Sequence, residues 1–128
     1  MSLLRRRCMK INDEKYIIYV YDGYIGMTED ADAIPAYNSK YPKSVATSSI
    51  AIEKNDLVVV NTSRVLQRRY RLYDENKNYK DFGYENSCTA EFDGYIRFVW
   101  HMGVGTIESA IVTKADGTVI NYDIIDMR

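Results

Sequence analysis

The longest alternation of apolar and polar positions runs through residues 92–102, where Ile96, Phe98, Trp100 and Met102 fall on one side and Arg97, Val99 and His101 on the other. A period of two marks an extended strand with one face on a core, so this segment is expected to cover it. Residues 16–21, Tyr-Ile-Ile-Tyr-Val-Tyr, are apolar or aromatic at every position and stop at Asp22-Gly23, which predicts a central strand ended by a turn. Residues 49–53 and 57–61 are strand-like runs around Lys54-Asn55-Asp56, a polar cluster suited to a hairpin or a tight corner. Arg69 and Arg71 alternate with Tyr70 and Leu72, predicting a strand from Arg68 onward; residues 74–78 supply a turn and residues 79–83 begin the return. Residues 107–113 and 119–125 flank Lys114-Ala115-Asp116-Gly117, a strong hairpin signal. Some eight strands joined by turns predict an all-β, antiparallel β-sandwich over residues 15–128.

Residues 26–43 break this rhythm. They hold both prolines, Pro35 and Pro42, the acids Glu29, Asp30 and Asp32, and no sustained period. The stretch reads as a long excursion over the surface, with Thr28 placed to cap a short turn of helix over residues 28–33. Loops of this length in a compact domain are often functional.

Composition agrees with the sheet reading and adds one bias. The chain of 128 residues is 46% apolar, enough for one domain with its own core. Ile and Val far outnumber Leu and Ala, which excludes a helical bundle. Of 16 aromatic residues 12 are Tyr, and Tyr joins an apolar body to a polar tip, as contact surfaces require.

The net charge of -1 is unevenly placed. Arg5, Arg6, Arg7 and Lys10 give +4 in the first ten residues without one acid, leaving -5 on the rest. Residues 1–14 therefore read as a basic arm on an acidic body, with Leu3, Leu4, Arg5, Arg6 and Arg7 as the segment that docks onto an acidic protein surface. A nucleic-acid partner is not expected, because the body is acidic and the aromatics do not interleave with Arg64, Arg68, Arg69 and Arg71. That arginine group reads as a solvated strand face or as salt bridges between subunits. No run approaches the 18 apolar residues of a membrane span, and no apolar stretch follows the arginines as a secretory signal requires. Membrane insertion is not expected.

From residue 50 to residue 100 the parts follow a recognisable order: Ile50-Ala51-Ile52-Glu53-Lys54-Asn55-Asp56, then Tyr73-Asp74-Glu75-Asn76-Lys77, then Tyr95-Ile96-Arg97-Phe98. This order resembles the jelly-roll modules, similar to carbohydrate-binding and galactose-binding-like domains, of bacteriophage tail and fibre proteins and some bacterial surface proteins. The opening residues 1–9 look like the starts of phage and prophage tail and fibre proteins. The resemblance covers about half of the chain and implies a virion structural protein: a tail-fibre or capsid-decoration module, made in the bacterial cytoplasm, partnered by other virion proteins and forming a homo-oligomer. It specifies a fold before it specifies a ligand. The alternative it implies is a carbohydrate-binding module for host surface glycans.

Catalytic chemistry finds little footing. There is one histidine, His101, which reads as a solvent-facing or core-edge residue, and Cys88 lacks a nucleophile context. No phosphate-binding loop, nucleophile elbow or zinc-protease motif is present. Asp22, Asp74, Asp93 and Asp123 sit near strand ends, where they serve as turn formers as well as carboxylate pairs would serve glycoside hydrolysis. Cys8 and Cys88 lack metal-ligand spacing, and neither Glu29, Asp30 and Asp32 nor Asp74 and Asn76 has the full spacing of a calcium loop. No enzyme, metal or cofactor is expected. For a glycan, the ring residues of choice are Tyr37 and Tyr41 on the long loop and Tyr79 and Tyr84 around residues 80–83; Trp100 belongs to the core with Ile96 and Phe98.

Overall fold

A computed structural model describes residues 16–63, 69–102 and 105–128. The basic arm with Cys8 and the whole Arg64 to Arg68 stretch lie outside these residues. The described chain forms eleven strands: β1 (Ile17–Asp22), β2 (Val45–Thr47), β3 (Ile50–Ile52), β4 (Leu57–Thr62), β5 (Arg69–Tyr73), β6 (Tyr79–Gly83), β7 (Ser87–Thr89), β8 (Gly94–Trp100), β9 (Ile107–Thr113), β10 (Val119–Asn121) and β11 (Asp123–Asp126). They build two sheets. The smaller has the order β10-β9-β4-β7; the larger runs β11-β1-β2-β8-β5-β6, with β3 also on β8. The all-β sandwich expected from the alternation is what forms.

Three antiparallel pairs are nested. β5 pairs with β6, flanked in sequence by β4 paired with β7, flanked in turn by β2 and β3 paired with β8. Successive pairs alternate between the sheets, as if one long hairpin had been rolled up. The turn cluster Lys54-Asn55-Asp56 is accordingly a corner between sheets, not a hairpin. Asn55 adopts φ 75 there, and the buried Asp56 carboxylate accepts from the Glu53 amide at 2.8 Å and from Lys114 at 2.7 Å.

Three details differ from the sequence reading. There are eleven strands rather than about eight, because β2 and β7 have three residues each, too few to display a period. The run 119–125 is two strands: Tyr122, buried and donating its amide to Ala110, carries the chain from the small sheet to the large one. There β11 lies parallel to β1, the one parallel pair among the described strands. No helix occupies residues 28–33; two tight turns do, the Glu29 carboxylate accepting from the Gly26 amide and the Asp30 carboxylate from the Asp32 amide. Local carboxylate bonds of this sort compete with helix.

The core fills the space between the sheets. Ile18, Val20, Ile50, Val58, Val60, Leu72, Ile96, Phe98, Trp100, Ala110 and Val112 are buried in one cluster. Phe98 and Trp100 stack at 6.0 Å, and the Trp100 indole donates to Asn86 at 3.1 Å, so its one polar atom is satisfied. Met102, expected in the same row, lies past the end of β8 and is exposed. Gly94 begins β8 where a Cβ would stand 2.0 Å from the Tyr73 carbonyl oxygen, so only glycine lets β8 start alongside β5. The predicted hairpin at residues 114–117 joins β9 to β10, with Gly117 at φ 91.

Candidate functional site

A strand that buries one face on a core usually offers the other to water. β8 does not. Its outward residues Arg97, Val99 and His101 are 2%, 0% and 1% exposed, because residues 23–44 fold back across the outer face of the large sheet. The loop is closed by the Tyr24–Ala36 bridge and by the Gly23 amide donating to Ser44 at 2.8 Å. It is tied to the β5–β6 turn by the Ala31 amide on the Lys77 carbonyl at 3.0 Å and the Asp32–Lys77 ion pair at 2.7 Å. Ile25, Ala46 and Val99 form a small apolar cluster beneath it.

Arg97 pins this loop. Its Nε donates to the Thr47 carbonyl at 2.9 Å and its Nη1 to the carbonyls of Ala31 and Ala33 at 3.0 and 2.7 Å. The Thr47 hydroxyl accepts from the Phe98 amide at 3.0 Å, which holds the irregularity between β2 and β3 where that carbonyl turns outward. Burial lowers the Arg97 pKa from its ordinary value, opposed by Tyr73, Asp32, Tyr21 and Asp30. Between loop and sheet lies a cleft of about 260 Å³, lined in part by Tyr21, Ala33, Ile34, Ser48 and Arg97.

Arg71, directly opposite Arg97 on β5, is held less completely. It is 1% exposed. Its Nη2 donates to the Tyr24 hydroxyl at 3.2 Å and its guanidinium lies 5.1 Å from that ring's centre. Its Nε and Nη1 have no hydrogen-bond partner among the described residues, and neither do Arg69 Nε, the Tyr73 hydroxyl or either ring nitrogen of His101. Burial raises the Tyr73 pKa, against the pull of Arg97 and Arg71. His101 is packed against Tyr24 and Tyr41 at 5.1 and 4.3 Å; burial first, then Arg69 and Arg71, push its pKa down to about 4. It is a neutral imidazole at pH 7. These placements correct two expectations: Arg71 is not on a solvated face, and His101 is neither solvent-facing nor at the core edge but sealed under the loop.

The four rings chosen for a glycan divide. Tyr41 is stacked on Tyr24 at 5.0 Å and half-buried. Tyr79 meets Tyr73 edge-on at 6.3 Å. Tyr84 is 58% exposed, with the Arg69 guanidinium 5.0 Å from its centre and Phe82 at 5.3 Å. These three therefore border one feature, the Arg69–Arg71 column of β5. Tyr37 stands apart on the loop, 76% exposed. The residues missed in sequence are Tyr24 and Tyr73, the rings that touch or flank Arg71; their signal was the Arg69-x-Arg71-x-Tyr73 alternation, which places Tyr73 on the arginine side of β5.

Two of the four acids near strand ends hold turns and loops. Asp74 accepts from the amides of Asn76 and Asn78 at 2.9 and 3.0 Å, and Asp93 from that of Lys54 at 2.8 Å. Among the described residues no three His, Cys, Asp or Glu side chains gather as metal ligands. No described helix is long and apolar enough to cross a membrane. Compared with family models, curated proteins and solved structures, the chain matches none.

Proposed function

We propose that this chain is a structural module of a bacteriophage particle, a jelly-roll fibre or decoration domain that works by protein contact, docked through its N-terminal arm. The observation that carries the reading is the loop tip. Ile34 and Tyr37 are 84% and 76% exposed, yet the loop behind them is fixed by Arg97, by the Tyr24–Ala36 bridge and by the Asp32–Lys77 pair. Exposed apolar side chains on a rigid support suit a binding surface. The nested antiparallel pairs that alternate between sheets support the jelly-roll part, with β10 rather than a first strand beside β9. The order of parts over residues 50–98 supports the phage part. Repetition of one such contact by particle symmetry converts weak single contacts into avidity.

The test is to purify particles and ask whether this chain travels with them at a symmetric copy number. Deleting residues 1–14 is expected to release it, and Ile34→Ser with Tyr37→Ser to weaken its contacts with neighbouring proteins without changing its thermal midpoint. A chain absent from particles and monomeric at high concentration overturns the proposal. A second reading, a glycan-binding module, is favoured by one observation: Tyr41, Tyr79 and Tyr84 border the same arginine column.

A further inference from the structure

The outer face of the large sheet carries arginines whose donors are not all answered among the described residues. Arg69 and Arg71 on β5 and Arg97 on β8 stand on one face, two of them directly opposite, where like charges disfavour each other. Around them the loop contributes Glu29, Asp30 and Asp32, the last already paired with Lys77. Asp81 and Glu85 approach the same strand from the β6 side, and Lys40 stands over Tyr41. Arg97 is answered by three carbonyl oxygens. Arg71 is answered by one hydroxyl, and with Arg69 and Tyr73 it keeps buried donors unpartnered among the described residues. Such groups are rare in folded proteins and mark a site, a water or an ion.

Resting on the glycan-binding reading, we propose that this face selects acidic sugars: a hexuronate or sialate residue whose ring lies against Tyr84 and whose carboxylate is taken by Arg69, with Arg71 behind it adding charge. A carboxylate brings acceptors to arginines whose donors are not all answered among the described residues, and guanidinium binds it in matched planar geometry. Tyr84 is exposed and Arg69 half-buried with its Nε covered, whereas Arg71 is sealed. The sugar's apolar face finds in Tyr84 a ring with a free surface.

The experiment follows the arginine Nε–H signals by nitrogen-resolved NMR while methyl glucuronoside, methyl sialoside, methyl glucoside and acetate are added separately. The expected result is that a glucuronoside or sialoside shifts the Arg69 and Arg71 signals and binds at least tenfold more tightly than glucoside or acetate. Arg69→Gln and Tyr84→Ala, both outside the core, should each weaken that binding at least tenfold with an unchanged thermal midpoint. Equal binding of acidic and neutral sugars overturns the acidic preference while leaving a glycan-binding module standing. Binding of no sugar overturns both, and acetate binding as tightly as the acidic sugars removes the sugar from the proposal.

Discussion

The two faces of the large sheet are both buried, by different means. On the inner face Ile96, Phe98 and Trp100 meet Leu72, Val58 and Val112 with almost no polar atoms to satisfy. On the outer face, from alternate residues of the same strands, Arg97, His101, Arg71 and Tyr73 lie beneath a loop. Apolar burial is non-directional and closes wherever shapes match. Polar burial closes only when each donor finds an acceptor, and among the described residues several do not. The inner face holds the domain together; the outer face leaves buried donors without partners among the described residues, at some cost in stability.

The comparison is tested most severely by removing a large inner ring. Phe98 is fully buried, against Tyr70 on one side and Trp100 on the other. Phe98→Ala should cost about 4 kcal/mol in denaturant unfolding, a loss shared by every part of the domain. The outer counterpart is Arg97→Met, which keeps most of the side-chain length and leaves the carbonyls of Thr47, Ala31 and Ala33 without their donor. We expect about 3 kcal/mol with a different spatial signature. By hydrogen exchange, the amides of Tyr24, Ala31 and Ala36 should lose protection while those of Val60 and Tyr122 keep theirs. Uniform loss across both sets would mean that the loop is part of the global folding unit rather than a layer upon it.

The inner face was legible in the sequence because its signal is periodic. Ile96, Phe98 and Trp100 recur at every second position, and so do Val58 and Val60. The outer face was harder to read for the same reason, since Arg97 and His101, like Arg69 and Arg71, occupy the polar phase of that alternation: His101 was expected at the solvent or the core edge, and Arg69 and Arg71 on a solvated face or in salt bridges between subunits. Whether a polar phase faces water depends on what lies over it, and a loop with no period of its own does not announce where it lands. Its length marked it as unusual. Only the carbonyls of Ala31 and Ala33, invisible in side-chain patterns, explain why it settles on Arg97. Tyr79 and Tyr84 were chosen as rings flanking a short segment, and they share a face because the pairing of β6 with β5 shifts register between Leu72 and Tyr73. Tyr37 was chosen for its place on the long loop, and no described strand brings it near them.

Protonation separates the faces further. His101 has a folded pKa of about 4 against an ordinary value of 6.5. Between those values the unfolded chain takes up a proton that the folded chain refuses, so stability falls as the pH drops through this window and is fully present above it. The loss attributable to His101 should reach up to about 3 kcal/mol at pH 4. His101→Phe keeps a ring between Tyr24 and Tyr41 and removes the titration. The difference in unfolding free energy between the two proteins should therefore change with pH below about 6.5 and stay flat above it. A constant difference from pH 4 to pH 8 would show that the imidazole is not sealed.

The smallest expected effect has the opposite sign, and for that reason it discriminates best. Tyr73 is fully buried with its hydroxyl unpartnered among the described residues, while its ring is held edge-on by Tyr79. Tyr73→Phe keeps the ring and removes only the oxygen. Where a hydroxyl closes a hydrogen-bond account, its deletion costs stability; where it is buried without a partner, deletion relieves a desolvation penalty. We expect Tyr73→Phe to raise the unfolding free energy by about 1 kcal/mol, whereas inner-face substitutions of any kind should lower it. A loss of about 1 kcal/mol would mean that the hydroxyl is already satisfied, by water or by a bound anion, and that the outer face is closed as tightly as the inner one.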